Sequence, residues 1–297
     1  EASRRIETIE SHTGEPSTHE LWPTIITGLE PEDHGIQLAD GVEWESSVLN
    51  VGSNLADMIL PGDLRTRIGA WLLTNTTGDA FRTRSRYYEE NNLETLFDGP
   101  NRLAIGVPNY VTSSDRDDRE HELRSTMGAL FQRDSDAVGG HMTADLNEFY
   151  EQCMERVMTR IMRARRGLRS HRHSLVFSYT SGLDLIGHVA YGSPEVSRAA
   201  YHELNDFVGD LRGDLEPDDL LLLVSDHGLQ KGVHTSSAMI SSSDPAVLNG
   251  VDSVVDVREA IEAELREGNH RPTGQYQWDF DAGENEVEDQ LESLGYL

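Results

Sequence analysis

Two short segments each place an aspartate and a histidine at a spacing suited to metal chemistry. Asp184-Leu-Ile-Gly-His188 sets its carboxylate and imidazole four residues apart, which on a helical turn is one face. Ser225-Asp226-His227-Gly228 sets a second pair side by side, and His234 follows seven residues after His227, within reach of a loop that folds back. Carboxylate plus imidazole is the ligand chemistry of zinc or manganese rather than of magnesium alone. Taken singly, these residues have structural roles: Asp184 capping a turn, His188 packed at the surface, an Asp-His pair closing a strand. Two such pairs in one chain point to a site. A third segment, Thr18 to Ile36, holds a hydroxyl at the start of a helical stretch that Gly28 closes. Thr18 suits a helix cap. It equally suits a nucleophile, because helix N-termini favour oxyanions and a nearby metal ion lowers a hydroxyl pKa.

These residues need elements to hold them. Apolar runs at 102–108, 174–179 and 220–224 read as buried strands, the last bounded by Asp219 and Asp226 as a central parallel strand would be. Between them, apolar residues recur at helical spacing from Thr143 to Arg166 and from Pro194 to Leu211, the second opening with Ser193-Pro194. The alternation predicts an α/β fold, a mostly parallel central sheet with helices on both faces. Both Asp/His pairs then sit beyond carboxyl ends of strands, where ligands bind in such sheets. The expected hydrolase-type domain covers residues 1–267, with 41–99 as a helical insertion or cap. Residues 268–297 are expected to form an acidic tail ending in a short helix from Val287 to Leu297. Arg82, Arg84 and Arg86 beside Tyr87 and Tyr88 offer a phosphate or base contact, but a solvated helix face is the preferred expectation.

Composition excludes several functions. There are 53 acidic and 25 basic residues, a formal net charge of −28, and Lys231 is the only lysine. Such a surface repels polyanions, which argues against general nucleic-acid binding and anionic membranes. It predicts a folded, cytoplasmic protein of a salt-loving microbe, where salt screens the self-repulsion. Cys153 is the lone cysteine and sits in an apolar helix pattern, so it is expected in the core. No run has the apolar length needed to span a bilayer.

Together the three segments resemble the alkaline phosphatase superfamily, and within it the type I phosphodiesterase/nucleotide pyrophosphatase family, in a haloarchaeal-type member. The matching residues are Thr18, Thr27-Gly28, Pro31-Glu-Asp-His34-Gly35-Ile36, Asp184 with His188, and Ser225 to Gly228. The closing Leu-Gly-Tyr-Leu is similar to the ends of related sulfatases and phosphodiesterases. The resemblance implies two divalent ions, zinc with manganese as the alternative. Asp184, His188 and His234 would hold one; Thr18, Asp226 and His227 would hold the other. It implies hydrolysis of a small-molecule phosphate ester, a diester first, through a covalently phosphorylated Thr18.

Three departures accompany it. The family's remaining metal-ligand Asp ends a strand upstream of the nucleophile, yet the 17 residues before Thr18 contain no Asp. The chain is therefore expected to lack a native first strand. Ala39 stands where nucleotide pyrophosphatases carry a phosphate-contacting Asn, and Pro23 lies later in the nucleophile helix than the usual proline and is expected to bend it. Phosphomonoesterase or sulfatase activity is the alternative within the superfamily, although Thr18 cannot become formylglycine. A non-catalytic binding protein that keeps the fold is the alternative from another class, supported by Ala39 and the missing Asp.

Overall fold

The protein is described here from a computed structural model, which describes residues 1–10, 14–37, 83–112, 145–267 and Leu123, Thr126 and Met127. Ala39, Arg82, residues 41–82 of the expected insertion and the expected tail at 268–297 lie outside the described residues. The elements run β1 (Ala2–Glu7), α1 (Thr18–Thr27), α2 (Pro31–His34), α3 (Ser85–Glu90), β2 (Arg102–Ile105), α4 (Leu146–Arg169), β3 (Leu175–Ser178), α5 (Gly182–Val189), α6 (Pro194–Arg212) and β4 (Leu222–Val224). They continue with β5 (Gly228–Gln230), β6 (Val233–Thr235), β7 (Ser237–Ser242) and, after two short 3₁₀ turns, α7 (Val257–Glu267).

Local sequence explains most of these boundaries. Asp145 caps α4 by accepting from the Asn147 N–H at 2.7 Å, and Cys153 is buried with Phe149, Val157 and Ile161 on its apolar stripe. Pro194 opens α6 in the first turn, where a missing N–H costs nothing. Gly28 ends α1 at φ 69°, the left-handed conformation glycine adopts freely.

The strands form a mixed α/β arrangement of small sheets. β2 and β3 pair in parallel, β1, β7 and β4 form a three-stranded antiparallel sheet, and β5 and β6 make a hairpin. A single, mostly parallel central sheet is therefore not seen among the described residues. The expected central parallel strand differs most: β4 pairs antiparallel with β7, and Leu223 is 45% exposed. The physical reason lies just downstream, where the β5–β6 hairpin turns the chain back so that β7 returns alongside β4 in the opposite direction. β1 precedes Thr18, but it ends in Glu7 and runs antiparallel to β7.

Helices do cover both faces of the β2–β3 pair. Gly167 of α4 lies against Leu103 and Val176 on one face. On the other, Ala104, Leu175 and Phe177 join a core with Leu21, Trp22, Ile25 and Ile26 of α1. Tyr88 and Leu96 enter the same core, so residues 83–99 of the expected insertion pack into the main body. A second core joins α4, α5 and α6. The exposed Arg86 pairs with Glu90 at 2.7 Å, a solvated helix face as expected.

Candidate metal and phosphoester site

Four elements converge on one cleft. Trp22 packs edge-on against Phe177 and Tyr179, with ring centroids 5.8 and 4.9 Å apart, which fixes α1 against the end of β3. Beyond β3, the buried Arg160 donates to the Tyr179 carbonyl at 3.0 Å and holds the strand end that leads into α5. Gly182 and Gly187 let α5 approach Val157 of α4 and Leu229 of β5. α5 then presents Asp184 and His188, and the hairpin that follows β4 returns His234. The cleft is lined by Glu15, Pro16, Thr18, Asp184, His188 and His234, among others.

Backbone carbonyls orient both imidazoles. His188 Nδ1 donates to the Gly232 carbonyl at 2.9 Å, and His234 Nδ1 donates to the Pro16 carbonyl at 2.7 Å. Each neutral ring therefore turns an unprotonated Nε2 inward. The two Nε2 atoms lie 3.0 Å apart, and Asp184 Oδ1 sits 3.2 Å from one and 3.4 Å from the other. Asp184 Oδ1 is buried with no hydrogen-bond partner. Two lone pairs and a carboxylate oxygen facing one another are a site for a cation, and all three atoms lie within 4.8 Å of one another. These residues fit a divalent metal ion.

Protonation follows the same geometry. Burial disfavours the charged Asp184, but the His188 and His234 imidazoles beside it outweigh this and hold the carboxyl far below its usual range. Burial likewise opposes charge on His188 and His234, and Asp184 outweighs it in both, raising each above the ordinary histidine value.

The second group lies beside the first. Thr18 Oγ1 is 3.0 Å from His227 Nε2, and that nitrogen is 3.5 Å from Asp226 Oδ2. His227 Nδ1 faces the Gly228 carbonyl at 3.2 Å, so its Nε2 is free to accept from Thr18 or to ligate. The His227 and His234 rings stack with centroids 3.7 Å apart, joining the two groups. Asp226 Oδ2 is buried without a hydrogen-bond partner, and burial raises its carboxyl pKa against the opposing charge of His227. Ser17 occupies the cap position of α1, which makes Thr18 the first helical residue and leaves its hydroxyl pointing to His227 rather than capping the helix.

All six expected site residues, Thr18, Asp184, His188, Asp226, His227 and His234, are thus brought together. The carbonyls of Pro16 and Gly232 were invisible beforehand, since backbone atoms carry no residue signal. Glu15 in the cleft lining carries none either.

The model of the type I phosphodiesterase/nucleotide pyrophosphatase family matches residues 68–290, three quarters of the chain. The chain belongs to that family. The matched region contains Asp184, His188, Asp226, His227 and His234, and begins downstream of Thr18. Membership makes the chain a phosphoric ester hydrolase. No curated protein and no solved structure matches it. Among the described residues, no helix is long and apolar enough to cross a membrane.

Proposed function

We propose that the protein is a metal-dependent phosphodiesterase in which Thr18 is the nucleophile. The observation that carries this reading is the triangle of Asp184 Oδ1, His188 Nε2 and His234 Nε2, within 4.8 Å of one another and next to the Thr18–His227 contact. Asp184, His188 and His234 would hold one ion, and Asp226, His227 and Thr18 would hold a second. Zinc suits this donor set best, with manganese next. Bound divalent ions would supply positive charge to the phosphoryl oxygens and lower the pKa of the attacking hydroxyl.

The chain's own residues supply the rest. Thr18 sits at the first turn of α1, where the positive end of the helix would favour an incoming oxyanion. Its oxygen would attack phosphorus as one alcohol leaves, and water would then cleave the Thr18 O–P bond, releasing a phosphate monoester that keeps the other ester group and restoring the hydroxyl. Without an ion, His227 Nε2 faces the Thr18 hydroxyl at 3.0 Å; with that nitrogen ligating, the Thr18 proton would pass to solvent instead. Ester charge supports a diester: the cleft lining among the described residues holds no arginine or lysine, and Glu15 adds a carboxylate. A diester brings one negative charge to that lining, whereas a monoester brings up to two.

The test is turnover of bis(4-nitrophenyl) phosphate by Thr18→Ala. Turnover is expected to vanish while metal content stays near that of the wild type. Undiminished turnover would refute Thr18 as nucleophile. Relative rates on aryl phosphate monoester, diester and aryl sulfate are expected to favour the diester; a faster aryl sulfate or monoester reaction would overturn the diester assignment.

A further inference from the structure

We infer that Asn109 is a positioning residue for the nucleophile helix, supplying from across the fold the hydrogen-bond donor that Pro23 withholds. This rests on the assignment of Thr18 as nucleophile. In an α-helix the carbonyl of one residue accepts the N–H four residues on. The His19 carbonyl in α1 should accept from residue 23, but Pro23 has no N–H to give. Asn109 fills that place: its Nδ2 donates to the His19 carbonyl at 2.8 Å from 90 positions away in sequence.

Asn109 is itself anchored rather than adjustable. It is buried, its Oδ1 accepts from the Thr83 N–H at 3.2 Å, and its carbonyl accepts from the Tyr88 hydroxyl at 2.8 Å. Tyr88 is wholly enclosed in the main core. The backbone at Asn109 has φ 55°, a left-handed conformation that asparagine tolerates better than other side-chain-bearing residues. The next carbonyl along α1, that of Glu20, accepts an extra bond from the Thr24 hydroxyl at 3.2 Å. A chain of contacts therefore runs from Tyr88 through Asn109 to His19, the neighbour of Thr18. Without Asn109, the His19 carbonyl would lose this 2.8 Å bond, Pro23 could not replace it, and the first turn would be held less firmly. Thr18 Oγ1 would then leave its position 3.0 Å from His227 Nε2.

The experiment measures diester turnover, metal content and amide hydrogen exchange across residues 17–27 for Asn109→Gly, Pro23→Ala and the double variant. Glycine keeps the left-handed backbone and its carbonyl. Asn109→Gly is expected to lower kcat by about tenfold with KM changed by less than about twofold, because misplacement affects the attack more than binding. Exchange in α1 is expected to rise. Pro23→Ala alone is expected to stay within about twofold of wild type, and in its background Asn109→Gly is expected to cost less than about threefold, since the helix regains its own donor. Equal damage with and without Pro23→Ala, or unchanged kcat for Asn109→Gly alone, would overturn the proposal. Asn109→Asp, which keeps the Thr83 contact but loses the donor, is the second variant; wild-type turnover there would also overturn it. If Thr18→Ala retains turnover, the nucleophile assignment fails, while exchange in α1 and its rescue by Pro23→Ala still decide the role of Asn109.

Discussion

His34 and the Asp184 cluster respond to acid in different ways. His34 is almost fully buried, and its Nδ1 accepts from the Ile36 N–H at 3.1 Å, so the proton sits on Nε2, 3.2 Å from the Thr24 hydroxyl. Burial lowers its pKa to about 4, against smaller raising effects from the Glu20 carbonyl and from Glu32 and Asp33. The unfolded chain takes up this proton first, so the stability His34 contributes is complete above about pH 6.5 and falls as pH drops toward 4. The expected loss is about 1.4 kcal/mol per pH unit in that window. Urea unfolding of wild type and His34→Gln between pH 7.5 and 4.5 checks this; parallel pH slopes in the two proteins would contradict it. At the Asp184 cluster protons would compete with the proposed metal ion instead. Because the pKa values of His188 and His234 are raised, metal affinity is expected to fall with pH already from above the ordinary histidine range. Asp184→Asn should weaken metal binding by more than about 100-fold, measured by titration with zinc, since it removes a ligand outright.

Among the elements, the β5–β6 hairpin carries most of the geometric burden, because it sets His234 against both His227 and His188. Gly228 opens it, and a Cβ there would collide with Thr235 Oγ1 and lie 2.6 Å from the Ser237 carbonyl, which is backbone and cannot yield. Gly228→Ala is expected to destabilise by about 1–3 kcal/mol and to weaken zinc binding, because the strand pair must shift. Gly209→Ala, in α6 with nothing within 4 Å of the new methyl, is expected to stabilise by up to about 1 kcal/mol. Thermal unfolding of the two variants distinguishes them; equal effects would contradict this packing. These elements also mark what the sequence could convey. Helices α4 and α6 were readable because apolar spacing, Asp145 and Pro194 are local signals. The site residues were readable because each pair follows a strand. The direction of β4 was not readable, since an apolar run fixes burial and leaves its partner open. The contacts of Asn109 with His19 and of His234 with Pro16 bridge 90 and 218 positions, beyond any local pattern.

For the molecule as a whole, 25 basic residues cannot balance 53 acidic ones, and a formal net charge of −28 remains however they pair. Partly buried pairs such as Arg102–Glu262 at 2.5 Å and Arg165–Asp214 at 2.5 Å tie elements together. Salt shortens the range of the repulsion among the acids, so the melting temperature is expected to rise by more than about 5 °C between about 0.1 M and about 2 M potassium chloride. A flat or falling melting curve would show that self-repulsion is not limiting. On the proposed function, attraction of an anionic ester to this acidic surface would come from ions held by Asp184, His188, His234, Asp226 and His227, so activity is expected to depend on them. The decisive measurement is diester turnover after exhaustive chelation and during stepwise return of zinc or manganese. The account predicts loss of turnover on chelation and its recovery as metal is restored, with no recovery in Asp184→Asn at the same metal concentrations. Full turnover by the metal-free protein would contradict it.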